Sequence, residues 1–240
     1  MVAGEVESGP YSLLVSGDRV FFSIQGEGQS LGKPAVFLRL HLCNLHCDWC
    51  DSRFTWDRSL GLSDDEPERW SVEQAWAMVG QYPARILVIT GGEPLLQAQG
   101  IDRLLNLIPV DWQVEIETNG TIAPTERMIE RGVQFNVSPK LANSGNEKAR
   151  RYRPEVLVHF SRLPGATFKF VVSAGTDLNE VGEIVAGCGL ADGSVIVMPE
   201  GKTQRDIARH GRAAAALCRE KGWRLLPRLQ VMLWGQRRGT

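Results

Sequence analysis

The 240-residue sequence contains no apolar run long enough to cross a membrane, and its N-terminus lacks a basic stretch followed by an apolar one. These absences make a cytoplasmic location the expectation. The formal net charge is only −1, so no excess of basic residues indicates binding to nucleic acid or to an anionic membrane. Internal repeats and low-complexity tracts are also absent. With 43% hydrophobic residues, the chain can bury the core of one α/β domain or of two smaller ones.

Cysteine is scarce and unevenly placed. The chain has five cysteines, and an odd number argues against a secreted disulfide framework. Three of them, Cys43, Cys47 and Cys50, form a C-x3-C-x2-C pattern directly after an apolar run that predicts a strand. Cys188 and Cys218 stand far from this group, and each is typical of a buried apolar thiol.

The spacing of the three clustered cysteines indicates a metal centre. Iron–sulfur ligands come in short runs, because one loop must wrap several thiolates around a compact cluster. Three ligands for four irons would leave one iron open to a substrate or cofactor, which favours catalysis over simple electron carriage. The alternative is a structural zinc knuckle that takes His41 or His46 as its fourth ligand.

Predicted strands and helices alternate along the rest of the chain, and this alternation predicts a parallel sheet with right-handed crossovers. The predicted strands cover residues 19–24, 35–40, 85–90, 112–118, 133–137, 167–173 and 194–198. The predicted helices cover residues 71–81, 95–107, 125–131, 178–186 and 204–221, the first opened by a capping box of Ser71 and Gln74. Residues 1–17 are expected to be flexible, and the polar segments 57–70 and 141–153 are expected to be loop insertions. Ligands gather at the carboxyl ends of parallel strands, where every unusual motif of this chain lies.

A GGEP sequence at residues 91–94 follows a predicted buried strand. Its glycines would bare backbone amides and carbonyls, so that the charged groups of an amino acid can lie against them. Glu93 would accept from an ammonium group or hold the loop. On these residues alone, a plain strand-to-helix turn with Pro94 opening the helix is an equal alternative.

Two further strand ends carry polar residues suited to a nucleoside. Glu117 is followed by Asn119-Gly120, and a carboxylate in this position can accept from both hydroxyls of a ribose. The alternative is that Asn119-Gly120 is simply a turn. At the next strand end Pro139 sets a turn, from which Ser138 and Lys140 would reach hydroxyl and carboxylate groups.

The cysteine pattern and the GGEP sequence together resemble the radical S-adenosylmethionine (SAM) superfamily, in which three cysteines hold a [4Fe–4S] cluster and SAM chelates the fourth iron. The resemblance implies a partial (β/α)6 barrel with mostly parallel strands, built as a single domain over residues 1–240. It also implies a SAM site formed by Trp49, Gly91, Gly92, Glu93, Glu117, Ser138, Pro139 and Lys140, with Pro199 and Glu200 placed on the adenine side by their strand-end position.

One subgroup matches more of the chain. Residues 22–28 (FSIQGEG), Arg39, residues 50–52 and the tail at 229–240 resemble the 7-carboxy-7-deazaguanine synthase family, and the match runs from about residue 18 to the end. The resemblance implies a lyase that converts 6-carboxy-5,6,7,8-tetrahydropterin to 7-carboxy-7-deazaguanine and releases ammonia, in the biosynthesis of queuosine and other 7-deazapurines. It implies a 5′-deoxyadenosyl radical that takes hydrogen from C6 of the pterin and later returns it, with no residue acting as a classical acid or base.

The same resemblance suggests how the pterin is held. Gln25 and Glu27 offer donors and acceptors that match an amide-like edge, and the fork of Arg39 binds carboxylates bidentately. The remaining expected substrate contacts are Ile24, Gly26, Thr90 and the terminal carboxylate of Thr240. From the residues alone, an ion pair at the barrel rim is the alternative for Arg39.

A magnesium ion is expected next to the last cysteine. In the family, Mg²⁺ bridges a hydroxyl at the position of Ser52 to the substrate carboxylate, and Asp51 adds a second hard oxygen. Threonine is more usual at this position, so Ser52 departs from the pattern. The alternative for Ser52 is a loop cap.

The expected partners are an electron donor such as flavodoxin or ferredoxin, and a second copy of the chain in a homodimer. Two rival functions remain at this point. A glycyl-radical activating enzyme would share the cysteine and GGEP features but would act on a protein and have no use for Gln25, Glu27 and Arg39. A zinc-binding interaction module would have no enzymatic activity.

Overall fold

The computed structural model describes residues 12–57, 59 and 66–240, and the strands within these ranges form one nine-stranded sheet. The strands are β1 (Leu13–Ile24), β2 (Pro34–Leu40), β3 (Glu68–Trp70), β4 (Ile86–Gly91), β5 (Gln113–Thr118), β6 (Gln134–Val137), β7 (Ala166–Val172), β8 (Val195–Pro199) and β9 (Arg224–Leu225). The α-helices are α1 (Val72–Val79), α2 (Ala98–Leu105), α3 (Glu126–Glu130), α4 (Lys148–Arg151), α5 (Pro154–Ser161), α6 (Asp177–Cys188), α7 (Gln204–Lys221) and α8 (Leu229–Trp234).

The sheet is mostly parallel, as predicted. Its order is β3-β1-β2-β4-β5-β6-β7-β8-β9. Strand β1 is antiparallel to both β2 and β3, whereas every neighbouring pair from β2 to β9 is parallel. From β4 onward, at least one helix separates each strand from the next, as crossover connections require. The α/β class with mostly parallel strands is therefore confirmed.

The two faces of the sheet differ in chemistry because side chains alternate along each strand. One face contributes apolar residues such as Leu38, Ile89 and Phe168 to the main core, where they pack with the helices. The other face carries most of the polar strand residues, which are Arg39, Thr90, Glu115, Glu117, Asn136, Thr167 and Lys169. The loop between β1 and β2 contacts this polar face at β5, β6 and β7, so the sheet curls around the loop as a partial barrel.

Several helix predictions are confirmed at their ends. Helix α1 is capped by the side chain of Ser71, which accepts from the backbone N–H of Gln74. Helix α7 has the predicted bounds and is capped by Thr203. The sequence analysis missed α5, which begins at Pro154 with the proline in its first turn. In the described part of the chain, no helix is both long and apolar enough to span a membrane.

Two segment boundaries in the predictions are wrong. Strand β1 begins at Leu13, inside the segment 1–17 that was expected to be flexible, and Leu13 and Val15 are fully buried. The end of the predicted insertion at 57–70 is strand β3, which pairs with the start of β1. Leu13–Val15 pair with Glu68–Trp70, more than fifty positions away, so this pairing leaves no local pattern in the sequence. Residues 1–11, 58 and 60–65 of these segments lie outside the described residues.

The polar segment 141–153 is also not the loop that was expected. It contains a 3-10 turn at Ala142–Ser144 and helix α4. Arg151 is buried, and its guanidinium pairs with Glu180 at 2.6 Å and donates to the backbone oxygens of Lys140 and Asn146. Arg151 bonds to the fold, whereas Glu147, Lys148 and Arg150 are exposed, so composition alone did not show that this polar segment is ordered.

Candidate active site

The three clustered cysteines lie in a loop that leaves the carboxyl end of β2. The loop begins with a backbone reversal at Leu42, which has a φ of 78°. Its course is fixed by hydrogen bonds from Leu42 N to Thr55 O (2.8 Å) and from Glu93 N to Leu42 O (2.8 Å). Because Glu93 belongs to the GGEP sequence, the structure brings the first two predicted motifs into direct contact.

Each of the three cysteine sulfurs receives one N–H hydrogen bond. The donors are Leu45 N to Cys43 (3.5 Å), Asn146 Nδ2 to Cys47 (3.3 Å) and Trp56 Nε1 to Cys50 (3.4 Å). Such donors stabilise negative charge on sulfur, as the ligands of a metal cluster require.

Burial has the opposite effect on the free thiols. Burial raises the pKa of Cys43 to about 11 and also raises the pKa of Cys47. The ammonium group of Lys140 opposes this rise at both cysteines, and the backbone N–H of Leu45 opposes it at Cys43. Metal coordination is what would keep these sulfurs as thiolates. Three sulfur donors with N–H partners fit an iron–sulfur cluster.

The same loop does not assemble a zinc knuckle. Among the residues that the structure describes, no group of three or more His, Cys, Asp or Glu side chains is close enough together to hold a metal ion. A structural zinc site needs four ligands around one ion. His41 is buried, and the ring of His46 stacks on Trp56 with centroids 4.6 Å apart. A four-iron cluster is wider than one ion and holds its thiolates farther apart, so this absence does not argue against a cluster.

The two glycines of GGEP are required by a contact different from the predicted one. A Cβ on Gly91 would lie 2.0 Å from the backbone oxygen of Leu40, and a Cβ on Gly92 would lie 1.9 Å from that of Leu42. Gly91 also has a φ of 126°, which disfavours other residues. The glycines therefore let β4 dock against the chain that enters the cysteine loop, whereas the prediction had them open to a ligand.

Glu93 holds the loop. Its fully buried carboxylate accepts from Leu95 N (3.0 Å), Thr118 Oγ1 (2.8 Å) and Asn119 N (2.6 Å). Burial raises the pKa of Glu93, and these three hydrogen bonds oppose that rise. Because neither oxygen of Glu93 is exposed, the carboxylate faces its protein donors and not a position open to the ammonium group of SAM. Glu93 instead ties the end of β4 to the end of β5.

The strand end that carries Glu117 also supports the cysteine loop. Asn119 Nδ2 donates to Asn44 Oδ1 (2.8 Å), and Asn44 Nδ2 donates to Thr121 Oγ1 (2.8 Å). Asn44 lies between the first two cysteines of the loop. The Asn-Gly pair lies in the bend that follows β5, and Asn119 orients the cysteine loop.

Lys140 and Trp49 meet beside the cysteines. Lys140 Nζ donates to the carbonyl oxygen (2.8 Å) and hydroxyl (2.9 Å) of Ser138 and lies 5.7 Å from the centre of the Trp49 ring. Burial lowers the pKa of Lys140, and the nearby cysteines oppose this effect. The Trp49 indole donates to Asn143 O at 3.0 Å. Ser138, Pro139, Lys140 and Trp49 therefore lie together, as a SAM site would require.

Glu117 joins residues that were predicted for two different ligands. Its carboxylate accepts from Gln25 Nε2 (3.2 Å) and from Thr90 Oγ1 (2.6 Å). Glu117 was expected to contact SAM, and Gln25 and Thr90 the pterin. The structure places all three in one cluster on the polar face of the sheet, so Glu117 lies where the two predicted subsites meet.

Glu27 lies in a buried network that sequence analysis missed. Its carboxylate forms an ion pair with Lys169 of β7 and accepts from Arg228 Nε (3.3 Å) and Gln230 Nε2 (2.6 Å). Although burial alone raises the pKa of Glu27, the two cations lower it well below its ordinary value. The signal available in the sequence was Lys169, a charged residue within an otherwise apolar strand.

The segment after β9 holds this network in place and also reaches the cysteine loop. Arg228 forms an ion pair with Asp51 and donates to Gly201 O (3.1 Å), while Leu229 N donates to Gly26 O (3.1 Å). A Cβ on Gly26 would lie 2.9 Å from the backbone nitrogen of Gln230, so this glycine allows the close approach.

The expected magnesium ligands do not form a site. Asp51 is engaged by Arg228, and the Ser52 hydroxyl lies 3.7 Å from the Cys50 sulfur. Ser52 is the residue that precedes a 3-10 turn, and its side chain forms no capping hydrogen bond. One hydroxyl and one carboxylate that is already ion-paired are a poor donor set for Mg²⁺, which prefers free hard oxygens.

Arg39 is a half-buried cation without an ion pair. Its guanidinium carbon lies 5.1 Å from the centre of the Phe21 ring and 5.5 Å from that of Phe54. No carboxylate of the described residues forms an ion pair with it, so the rim ion pair offered as an alternative is absent. Burial lowers the pKa of Arg39, and the more distant Asp18 and Asp51 oppose this effect.

The C-terminal tail lies close to Arg39. The guanidinium of Arg238 stacks on Phe54 at 4.0 Å from the ring centre, so Phe54 contacts both arginines. A Cβ on Gly239 would lie 3.4 Å from Asp18 Cγ, and the Thr240 hydroxyl donates to Arg237 O (3.0 Å).

The remaining predicted residues lie at strand ends. Ile24 is the last residue of β1, and Pro199 is the last of β8. Glu200 N donates to Val172 O (2.8 Å), and Glu200 O accepts from His210 Nδ1 (2.6 Å). Pro199 and Glu200 therefore have the strand-end position on which their prediction depended.

Below the site, a second buried carboxylate fixes the β1–β2 loop from inside the sheet. Glu115 is fully buried and accepts from the Ser30 hydroxyl, from Gln113 Nε2 (2.6 Å) and from Asn136 Nδ2 (2.9 Å). A Cβ on Gly28 would lie 2.5 Å from Asn136 Oδ1. Burial raises the pKa of Glu115, while these neutral donors oppose it. The loop that carries Gln25 and Glu27 is thus held at a set depth.

This arrangement predicts the effect of Glu115→Gln. The glutamine amide would replace one acceptor oxygen of the carboxylate with an NH2 donor, which would face the donor groups of Ser30, Gln113 and Asn136. We therefore expect the free energy of unfolding to fall by about 1–3 kcal/mol. Urea denaturation measures the change. Glu130→Gln, at an exposed position of α3, is the matched control and should change little. Equal midpoints for the two variants would contradict the role given to Glu115.

Comparison with known proteins supports the same centre. Residues 39–187 match the family model of the radical SAM superfamily. The chain is 37% identical to 7-carboxy-7-deazaguanine synthase of Pyrobaculum aerophilum, over 92% of this chain and 95% of that protein. It is 33% identical to the enzyme of that name from Rhodopirellula baltica, over 99% and 92% of the two chains.

A solved structure agrees with these relatives. The crystal structure of QueE from Escherichia coli superposes with a TM-score of 0.69 at 25% identity, covering 92% of this chain and 96% of that one. Membership of the radical SAM superfamily implies a [4Fe–4S] cluster and SAM, and the three cysteines with their N–H donors fit the cluster. The chain belongs to the 7-carboxy-7-deazaguanine synthase family of radical SAM enzymes.

Proposed function

We propose that this chain converts 6-carboxy-5,6,7,8-tetrahydropterin to 7-carboxy-7-deazaguanine with release of ammonia, in queuosine and 7-deazapurine biosynthesis. The observation that carries the proposal is Arg39, a half-buried guanidinium that forms no ion pair with a described carboxylate and stands on the polar face of the sheet near Glu117. A carboxylated ligand would supply the missing anion.

The cluster and SAM would be held at the strand ends around the cysteine loop. Cys43, Cys47 and Cys50 would ligate the cluster, and the backbone at residues 91–92 and the group around Lys140 would face SAM. When bound, the cluster and SAM supply the radical chemistry that the protein alone lacks. The fold fixes the cysteine loop from three sides, through Glu93, Asn119 and Asn146.

The pterin would lie between Arg39 and Glu27. Arg39 would bind its carboxylate, and Gln25 and Glu27 would bind its amide-like edge. Lys169 and Arg228 keep Glu27 ionised, so that it acts as an acceptor toward ligand N–H groups. Among the described residues, Lys169 is the hydrogen-bond partner of the Glu27 Oε2 atom, which leaves a second acceptor position on this oxygen. Thr90 and Glu117 would lie where the pterin meets SAM.

Product formation tests the proposal. Anaerobically reconstituted protein, reduced with dithionite and supplied with SAM, is incubated with 6-carboxytetrahydropterin, and the products are analysed by mass spectrometry. We expect 7-carboxy-7-deazaguanine and ammonia. SAM cleavage without a deazapurine would favour a glycyl-radical activating enzyme instead, and a colourless protein with stoichiometric zinc would favour the interaction module.

Substitution of Arg39 tests the carboxylate contact. Arg39→Met keeps a long side chain against Phe21 and Phe54 but removes the charge, so we expect KM for the pterin to rise by about 10- to 100-fold, as for loss of a charge-assisted hydrogen bond. Thermal stability should stay equal or rise, because a half-buried cation without an ion pair is removed. SAM affinity should not change.

Arg85→Met is the matched control for this substitution. Arg85 also lies over an aromatic ring, 5.3 Å from the centre of Trp112, but its side chain is largely exposed. A KM that rises equally in both variants, or in neither, would contradict the assignment of Arg39.

The remaining expectations rest on the family resemblance. We propose one radical SAM domain over residues 1–240, supported by the single sheet of the described residues. We also propose an electron donor such as flavodoxin or ferredoxin, and a homodimer. Mg²⁺ belongs to the family pattern, but Asp51 and Ser52 do not fit it in this arrangement, so we assign no step to magnesium.

A further inference from the structure

Trp56 follows the cysteine loop, and its indole reaches back to one of the predicted cluster ligands. Nε1–H of Trp56 donates to Cys50 Sγ over 3.4 Å. We propose that this hydrogen bond raises the reduction potential of the iron–sulfur cluster, which makes Trp56 a positioning residue for electron uptake. The inference goes beyond the reaction proposed above and rests on it only in requiring that the cluster binds to these cysteines.

Side chains on either side of Cys50 in the chain contact the indole. The His46 ring stacks on it, with an interplanar angle of 13° and centroids 4.6 Å apart. The guanidinium carbon of Arg53 lies 5.7 Å from the ring centre, and Trp56 N donates to Arg53 O (3.0 Å). These contacts come from residues on both sides of Cys50 in the chain. These contacts favour the ring orientation in which the N–H points at the sulfur.

The direction of the effect follows from charge. One-electron reduction adds negative charge to the cluster, and part of that charge lies on the ligand sulfurs. An N–H donor stabilises the more negative form more strongly, so each such bond raises the potential. Of the three donors, Leu45 uses its backbone, whereas Asn146 and Trp56 use side chains. Asn146 also accepts from His46 N, so its removal would disturb the loop. Trp56 offers the cleaner test.

The experiment compares midpoint potentials of anaerobically reconstituted protein without substrate, by redox titration followed by electron paramagnetic resonance. Trp56→Phe keeps an aromatic ring against His46 but loses the N–H, and we expect a shift to more negative potential with unchanged iron content. Trp49→Phe is the matched control, because that indole lies in the same loop but donates to the carbonyl of Asn143. We expect no shift there. Equal potentials for wild type and Trp56→Phe would overturn the proposal.

A second measurement leaves Trp56 itself in place. Protein with ¹⁵N-indole tryptophan, in the Trp49→Phe background, is reduced and studied by pulsed electron paramagnetic resonance. We expect a ¹⁵N coupling transmitted through the hydrogen bond, and its absence would overturn the proposal. Neither readout involves turnover. If the wild-type protein forms the deazapurine but Trp56→Phe leaves the cluster potential unchanged, this inference is contradicted and the proposed function is not.

Discussion

Glu27→Gln should destabilise the protein by about 3–5 kcal/mol and abolish detectable ring contraction. The side chains of Glu27, Lys169 and Arg228 are only 13%, 9% and 11% exposed. Removing the one carboxylate that both cations share leaves them buried without sufficient negative charge, and breaking a buried ion pair from one side typically costs this much. Chemical denaturation measures the stability, and product formation measures the activity.

The same substitution should change how stability depends on pH. The folded-state pKa of Glu27 lies below the ordinary value of 4.5. The stabilisation from this carboxylate is therefore complete above about pH 4.5 and is lost as pH falls from there toward the folded-state pKa. We expect the stability difference between wild type and Glu27→Gln to narrow on acidification over this range. A difference that stays constant or widens would contradict the assignment.

A surface pair provides the control for Glu27. Glu68 pairs with Arg19, but their side chains are 48% and 35% exposed. Glu68→Gln should change the unfolding free energy by no more than about 1 kcal/mol and leave product formation intact. Combining Glu27→Gln with Lys169→Met should recover part of the lost stability, because the second substitution removes a buried cation that has lost its carboxylate partner. Activity should not recover, because the double variant still lacks the carboxylate that would accept from the substrate. Recovery of activity would show that Glu27 does not contact the pterin.

The sequence predicted what is encoded locally. The strand runs, the helix caps at Ser71 and the turn residues at strand ends all act within a few neighbours along the chain, and these features agree with the structure. The cysteine spacing and GGEP sequence predicted the metal centre for the same reason. Since parallel strands end at one edge of a sheet, the sequence alone also predicts that the local motifs lie together.

What was missed depends on contacts between distant residues. Glu27 and Lys169 are 142 positions apart, and Glu27 and Arg228 are 201 apart, so neither pair leaves a local pattern. The carboxylate of Asp51 was predicted to bind magnesium because Mg²⁺ prefers hard oxygen ligands, but in the structure it forms an ion pair with Arg228. Residues 141–153 appeared to be a solvated loop because composition does not show that Arg151 is buried against Glu180.

The glycines of GGEP show that a correct motif can carry an incomplete physical reason. Sequence analysis explained them by the approach of a ligand, whereas the structure shows the approach of another stretch of backbone, the chain at Leu40 and Leu42. Both reasons require the absence of a side chain, so the residue type alone cannot separate them. Stability measured without any ligand can separate them, because only the backbone contact acts in the empty protein.

Gly92→Ala should therefore damage the protein even when neither cluster nor SAM is present. The added Cβ would lie 1.9 Å from the Leu42 oxygen and 3.0 Å from the Cys43 nitrogen, both backbone atoms that no rotamer change can move. We expect about 3 kcal/mol or more of destabilisation in the cluster-free protein, and iron incorporation well below wild type, because the displaced backbone leads directly into the first ligand. Gly182→Ala is the matched control: this glycine lies within α6 and a Cβ there meets nothing within 4 Å, so helix propensity should make the variant slightly more stable. If Gly92→Ala were as stable as wild type without ligands and failed only in SAM binding, the glycine would serve the ligand after all, and the docking of β4 against the cysteine loop would not depend on it.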